Sequence, residues 1–524
     1  MPNASESVHR ARLEEVERED SKRLSFLLTY TEFKLLSIAG VGFFLDAYDL
    51  FIIKPVSTML QYRLYGDNQI PAGIQGVLKA SANIGSVVGQ FLFGYMADAL
   101  GRKAIYGKEL MLIIFATIMC LTTPTGSLSP NNSLIYLTIF RIILGIGVGG
   151  DYPMSASVTS DRATLRRRGT MLSYIFSNQG WGSFIGALVT IVVLAAYKHV
   201  MDDKGETSKV DGVWRIVVGL SLVPAFATLY ARLTLPEATR FIKSQRKNES
   251  LDRKQTHDSD EGGSPVVEGE VNSDAGKEAD KYKVENGVEV QVTEVKKKAH
   301  LREVVEYFGE WRHMKILIGT SVCWFLLDIA FYGINLNQNV VLQQIGFGGT
   351  TGTPWNKLFK ISTGNIIITA LGFVPGYYAT ILTVETLGRK WIQIQGFLLA
   401  GLFLAILAGK FHTLSHPAFI VCFALLQFFF NFGANTTTYL YPAEVFPTKH
   451  RAFAHGLSAA SGKAGAIISA LAFNQLTMSI GTDKVLWIFF GCCMLGAVFT
   501  LMLPEVRGRD PDEVLAQEIL EAKK

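Results

Sequence analysis

Twelve stretches of this chain are each long and apolar enough for a helix to cross a bilayer, and that repetition leaves few folds open. A spanning helix needs about 20 mostly apolar residues. Runs of that kind fall near residues 33–53, 73–97, 104–123, 134–159, 170–196 and 213–235, then near 314–342, 358–384, 390–411, 416–441, 452–480 and 485–503. Lipid offers the backbone no hydrogen bonds, so each run must satisfy its own amides as a helix. The expected fold is therefore an all-α integral membrane protein, with about twelve transmembrane helices in two six-helix bundles. The chain divides into an N-terminal arm at 1–30, a first bundle at 31–243, a linker at 244–300, a second bundle at 301–505 and a tail at 506–524.

The charges that remain, 18% of 524 residues, are placed in ways that need explaining. Arg102, Lys103, Arg166, Arg167, Arg168, Arg389, Lys390, Lys449 and Arg451 all flank spans on one side, the side that also carries both termini. Cytoplasmic loops are enriched in Lys and Arg close to span ends, so both termini are expected in the cytoplasm. The net charge of +5 is accounted for by these loops, and no nucleic-acid partner is expected. The first 30 residues carry Arg10, Arg12, Glu14, Glu15, Arg18, Glu19 and Asp20 where a signal peptide would be apolar, so the first span is expected to direct insertion itself. All five cysteines lie inside spans, where a disulfide between loops cannot form. Residues 244–300 hold Tyr282 as their only aromatic and too little apolar surface to fold alone, which predicts a disordered linker. Asn131 opens an Asn-Asn-Ser glycosylation sequon in a short loop on the other side.

Polar groups inside the spans are the functional candidates, because an unpartnered charge at the bilayer centre costs several kcal/mol. The fourth span contains Arg141 and Asp151 among Gly145, Gly147, Gly149 and Gly150, with Pro153 just beyond. The glycines let a neighbour approach the backbone closely, and the proline removes a helical donor. Asp151 is either a working carboxylate or one neutralised by a lysine or arginine next door. In the first span Asp46 and Asp49 are three residues apart, share a helix face and are expected to titrate as a coupled pair suited to proton uptake. Asp49 could instead sit at the external end and see water. Lys108 is explained by snorkelling, but Glu109 beside it is not.

The seventh span places Trp324, Asp328 and Tyr332 four residues apart, an indole, a carboxyl and a phenol on one stripe. Gln179, Asn435 and Lys463 add amides and a buried cation, the lysine standing among the small residues Ser461, Gly462, Ala464 and Gly465. Taken singly, Gln179 and Asn435 could be interhelical hydrogen bonds. No catalytic motif has the strand-turn-helix context its chemistry requires, so no enzyme activity is expected.

Two motifs repeat between the halves. Gly94 to Lys103 contains Asp98, Gly101, Arg102 and Lys103, and Glu385, Gly388, Arg389 and Lys390 recur one half-chain later, with Ile381 in place of the leading glycine. Together with Arg141, Pro236-Glu237, Arg240-Phe241, Glu444 to Pro447 and Arg451, these resemble the major facilitator superfamily across residues 30–505. Gly149 to Ala156, with Met154 where leucine is usual, is similar to the signature of its fungal and plant phosphate:proton symporters. That resemblance implies phosphate held between the bundles by Tyr152, Gln179, Trp324, Asp328, Tyr332 and Asn435, with Lys463 nearby. It implies proton coupling through Asp46, Asp49, Asp151 and Asp328, no cofactor or metal, and a multi-pass protein of the plasma membrane. Phosphate presents both acceptor oxygens and P–OH donors, so a site rich in donors with one carboxylate suits it. A proton-coupled sugar or organic-acid porter, and a phosphate-sensing receptor with little flux, are the alternatives.

Overall fold

The structure, a computed structural model, describes residues 24, 26–66, 68–234, 300–344 and 352–522. Most of the arm at 1–30, nearly all of the linker at 244–300 and the motif from Pro236 to Phe241 lie outside the described residues. Every regular element among the described residues is helical. Eleven segments are long and apolar enough to span a membrane. Ala72–Leu100 is a twelfth, 29 residues long and less apolar than the others, because small and polar residues such as Ser81, Asn83, Ser86 and Gln90 face buried neighbours. Its outer face is apolar, with Val88, Phe91 and Leu92 exposed, as a lipid-facing surface requires.

The first span runs Tyr30–Phe51 and continues as Ile53–Leu64. Its start is fixed by a capping box in which the Thr29 hydroxyl accepts from the Glu32 N–H at 3.2 Å and the Glu32 carboxylate accepts from the Thr29 N–H at 2.7 Å. The third span is Lys108–Leu121, the fourth Pro130–Arg162, the fifth Arg168–Ala196, and the sixth Val210–Gly219 with Leu222–Leu233. The second half contains Trp311–Leu336 with Gln338–Gln344, Pro354–Leu387, Arg389–Gly409, His416–Asn431 with Ala434–Val445, Arg451–Ile480 and Thr482–Thr500.

Close approach explains the glycines. A Cβ on Gly85 would lie 1.9 Å from the Ile142 carbonyl oxygen, and one on Gly149 would lie 2.3 Å from that of Ser86, so the second and fourth spans touch backbone to backbone. The same holds between halves, where a Cβ on Gly456 would meet the Gln90 carbonyl oxygen at 2.4 Å.

Three local departures from the sequence reading position side chains. The tenth span, expected to be continuous over 416–441, breaks at Phe432 and Gly433, where Gly396 of the ninth span comes so close that a Cβ on Gly433 would be 2.4 Å from its Cα. Discontinuous spans tend to mark binding regions. The eighth span carries a π-turn over Thr369–Phe373, next to Pro375, which has no N–H to donate. The sequon is no loop: Asn131 sits in the first turn of the fourth span, and the buried Ser133 hydroxyl donates to the Pro124 carbonyl at 2.6 Å, leaving it poorly placed as an acceptor site. The tail also forms a helix, Pro511–Ala522, docked through Asp512 to Thr448 at 2.6 Å and Glu518 to His313 at 3.0 Å.

Candidate functional site

The polar side chains from the two halves meet in three linked groups at the centre of the bundle. In the first group, Lys463 of the eleventh span donates to the Tyr332 hydroxyl at 2.5 Å and lies 3.6 Å from Asp328, both on the seventh span. Its ammonium sits over the rings of Tyr332 at 4.2 Å and Tyr152 at 5.0 Å, so aromatic faces share in stabilising the cation. Trp324, one turn before Asp328, stands 6.3 Å from the Tyr152 ring and packs edge-on against His455. A Cβ on Gly462 would lie 2.4 Å from the indole, which is why a small residue precedes the lysine.

The second group crosses between halves. Gln179 of the fifth span donates to the Tyr152 hydroxyl at 3.3 Å and accepts from the Tyr377 hydroxyl at 2.6 Å. Asn435, just beyond the break in the tenth span, donates to Tyr377 at 2.8 Å and to Asn431 at 2.7 Å. The two amides expected as possible interhelical bonds are thus joined to each other through a tyrosine. Tyr377 went unnoticed in the sequence because a Tyr377-Tyr378 pair in an apolar run carries no helical periodicity to say which ring faces inward.

The third group is an ion-pair cluster. Arg232, at the end of the sixth span, holds Asp151 through contacts of 3.0 and 3.2 Å and Glu109 at 3.3 Å, all three fully buried. The Ser155 hydroxyl donates to Asp151 at 2.7 Å, and Arg232 donates further to the Ala39 carbonyl at 3.1 Å. The carboxylate of Asp151 thus has an arginine next door in this conformation. Gly42 makes room for this, since a Cβ there would fall 1.6 Å from the Asp151 carboxylate.

Asp46 lies between the first and third groups, within electrostatic reach of Asp151, Arg232, Asp49 and Lys463. Neither of its carboxyl oxygens has a hydrogen-bond partner among the described residues. Asp49 is buried too, so it does not sit in water at the external end; it lies beside Arg141 and Ser221. Arg141 donates to the Asp49 backbone carbonyl at 3.1 Å and to Ser81 at 3.3 Å. The two acids remain within electrostatic reach of each other but have different further neighbours, Asp46 facing the centre and Asp49 the arginine.

Tyr152, Gln179, Trp324, Asp328, Tyr332, Asn435 and Lys463 are each at most 4% exposed, so this conformation is closed around them. At one end the halves are tied by Glu385 accepting from the Thr170 N–H at 3.0 Å, by Asp98 accepting from the Phe453 N–H at 2.8 Å, and by Arg451 with Asp161, while within the second half Arg389 holds Glu444 at 2.7 Å and Glu385 at 2.8 Å. The repeated acidic loops thus each grip the first turn of a helix from the other half, where the backbone N–H groups and helix dipole favour a carboxylate. At the other end Trp355 donates to the Leu194 carbonyl at 2.7 Å, and Asn474 to Gln75 at 3.0 Å. The described residues include no grouping of His, Cys, Asp and Glu suited to a metal ion.

The family described as sugar (and other) transporter matches residues 35–516. A relative from Schizosaccharomyces pombe is 46% identical over 98% of this chain and 93% of its own. The inorganic phosphate transporter PHO84 of Saccharomyces cerevisiae is 36% identical over 93% of this chain and 84% of its own, and the repressible high-affinity phosphate permease of Neurospora crassa is 35% identical over 92% and 86%. Among solved structures, the major facilitator superfamily proton:xylose symporter XylE bound to 6-bromo-6-deoxy-D-glucose superposes with a TM-score of 0.67 at 18% identity, covering 93% of this chain and 98% of that one. The chain belongs to the sugar (and other) transporter family.

Proposed function

We propose that this protein imports inorganic phosphate together with protons by alternating access, binding it between the two bundles near the membrane midplane. The observation that carries the reading is the Lys463–Tyr332–Asp328 group joined to Tyr152, Gln179, Tyr377 and Asn435. Donors dominate it, one cation is present, and one carboxylate can accept from a P–OH group, the pattern a partly protonated tetrahedral oxyanion needs. A sugar is uncharged and gives no reason to keep Lys463 buried, whereas an anion does. The phosphate transporters and permease among the relatives support the same substrate.

Phosphate entering between the halves competes with Asp328 for Lys463. Asp328 is then freed to act as an acceptor when ionised or a donor when protonated, so binding and protonation are linked at one residue. Asp46, buried and without a hydrogen-bond partner among the described residues, is the carboxyl free to take up a proton between the central group and the Arg232 cluster. Asp49 and Asp151 have charged neighbours and assist by holding Arg141 and Arg232 in place. Protons moving down the membrane potential supply about 2.3 kcal/mol per charge per 100 mV, enough to concentrate an anion when net positive charge enters.

The basic span ends place both termini in the cytoplasm, in keeping with a plasma-membrane importer that has no nucleic-acid partner. The bundles are residues 31–243 and 301–505, joined by the linker at 244–300. Competition in liposomes tests the substrate: unlabelled phosphate should suppress uptake of radiolabelled phosphate, while an equal excess of hexose or organic acid leaves it unchanged. Suppression by hexose and not by phosphate would turn the assignment to a sugar porter.

A further inference from the structure

The end of the bundle opposite the Arg389–Glu444 group holds two lysines that the transport scheme does not use. Lys79 is buried in the second span and donates to the Asn337 side-chain oxygen at 2.9 Å. Lys54, partly buried after the first span, donates to the Gln338 side-chain oxygen at 3.1 Å. Their partners are neutral amides on consecutive residues at the end of the seventh span. Among the described residues neither lysine forms an ion pair, and no acidic side chain contributes to the electrostatic surroundings of either. Buried cations ordinarily sit beside a carboxylate or a bound anion. Here no carboxylate is supplied.

Two more polar atoms are left open in the same region. The Gln338 amide nitrogen and the Asn365 side-chain oxygen are buried without a hydrogen-bond partner. Lys54 and Asn365 also line a narrow crevice between the first, fifth and eighth spans, whose wall includes Ser183, Thr190, Ser362 and Thr369. The crevice leads inward through one ring: Phe51 lies under the Lys54 ammonium at 5.0 Å and stacks on Tyr332 at 5.8 Å, the tyrosine that Lys463 holds.

We propose that Lys54, Lys79, Gln338 and Asn365 form an outer binding site for a tetrahedral oxyanion, occupied before the central site. The inference rests on the reading of the protein as a phosphate importer. The two ammonium groups and the Gln338 amide donate to anion oxygens, and the Asn365 carbonyl accepts from P–OH, a small copy of the chemistry at the centre. Both lysine contacts cross from one half to the other. An anion that takes the lysines from Asn337 and Gln338 therefore removes two of the bonds closing this end, so capture and opening are one event.

The test is uptake of radiolabelled inorganic phosphate by the full chain in liposomes, comparing wild type with Lys54→Gln/Lys79→Gln and Lys54→Arg/Lys79→Arg. The neutral variant is expected to raise KM roughly tenfold with kcat near wild type and to flatten the rise of KM with ionic strength, because steering by a cationic mouth is lost. The arginine variant keeps the charge and should restore both. A wild-type KM and salt dependence in the neutral variant overturns the outer site and leaves the phosphate reading standing. An equal rise of KM in the arginine variant also overturns it, making the lysines a structural clasp. Absence of phosphate uptake by the wild type is the separate signature of a wrong substrate, and the oxyanion assignment falls with it.

Discussion

Asp151 and Arg232 are joined by two hydrogen bonds, 3.0 and 3.2 Å long, with no solvent contact on either side chain. The pair ties the fourth span to the sixth, and Gly42 of the first span closes over it. Its charge is therefore committed to structure in this conformation. Asp151→Asn leaves Arg232 with Glu109 alone, and breaking a buried pair typically costs about 3–5 kcal/mol, so a marked fall in the unfolding temperature of the detergent-solubilised protein is expected. Adding Arg232→Gln should cost less than the two single losses summed, because the Asp151–Arg232 pair can be broken only once. Strictly additive losses would show that the two residues are not coupled.

Gly42→Ala makes the same point sterically. The new methyl would fall 1.6 Å from the Asp151 carboxylate and 2.0 Å from the Arg232 guanidinium, so the pair or the first span must shift. Reduced stability and a large loss of phosphate uptake are expected, measured on protein that still inserts. Wild-type uptake by this variant would mean that the ion pair can be rearranged without consequence.

Lys463→Gln keeps length and polarity but deletes the one cation of the central group. The expected result is a loss of phosphate binding of at least about tenfold with the protein still folded, since the anion loses its charged partner while Tyr332 retains a donor nearby. Equilibrium binding of radiolabelled phosphate to purified protein measures it. Unchanged affinity would reduce Lys463 to a partner of Asp328.

Asp328→Asn retains size and a donor but cannot titrate. Phosphate binding should persist, pH-driven accumulation should stop, and discrimination against sulfate should relax. Sulfate is fully deprotonated near neutral pH and would leave an ionised Asp328 facing an anion without a hydrogen bond, a buried mismatch of several kcal/mol. Binding of phosphate and sulfate measured beside uptake decides it; full accumulation by this variant contradicts the role given to Asp328.

The sequence made the number of spans legible, since twelve apolar runs allow little else, and also the polar stripe of the seventh span. Trp324, Asp328 and Tyr332 repeat every four residues, a helical spacing that lipid-facing residues have no cause to follow in polar form. Arg232 was hidden for the opposite reason: an arginine near the end of an apolar run looks like one that snorkels to the interface. The structure turns it inward, against two acids that lie two and three spans earlier in the chain. The break at Gly433 was equally hidden, because a lone Phe-Gly step in a long run is no stop signal and only contact with Gly396 makes it necessary. Asp49 shows the limit of spacing arguments. Three residues apart put it on one face with Asp46, but the position of Arg141 on a different helix decides what each acid meets.

In the proposed mechanism protons drive phosphate through this site and Asp46, whose carboxyl oxygens have no hydrogen-bond partner among the described residues, carries them. The direct measurement is accumulation of radiolabelled phosphate by purified protein in liposomes as external pH is lowered from about 7 to about 5, with and without a protonophore, for wild type and Asp46→Asn. A carboxyl loaded from outside binds its proton more readily as external pH falls, so wild-type accumulation should rise across that range and collapse with the protonophore. Asp46→Asn should only equilibrate phosphate, at a rate indifferent to external pH. Accumulation by the wild type that ignores both the pH gradient and the protonophore would contradict proton coupling outright.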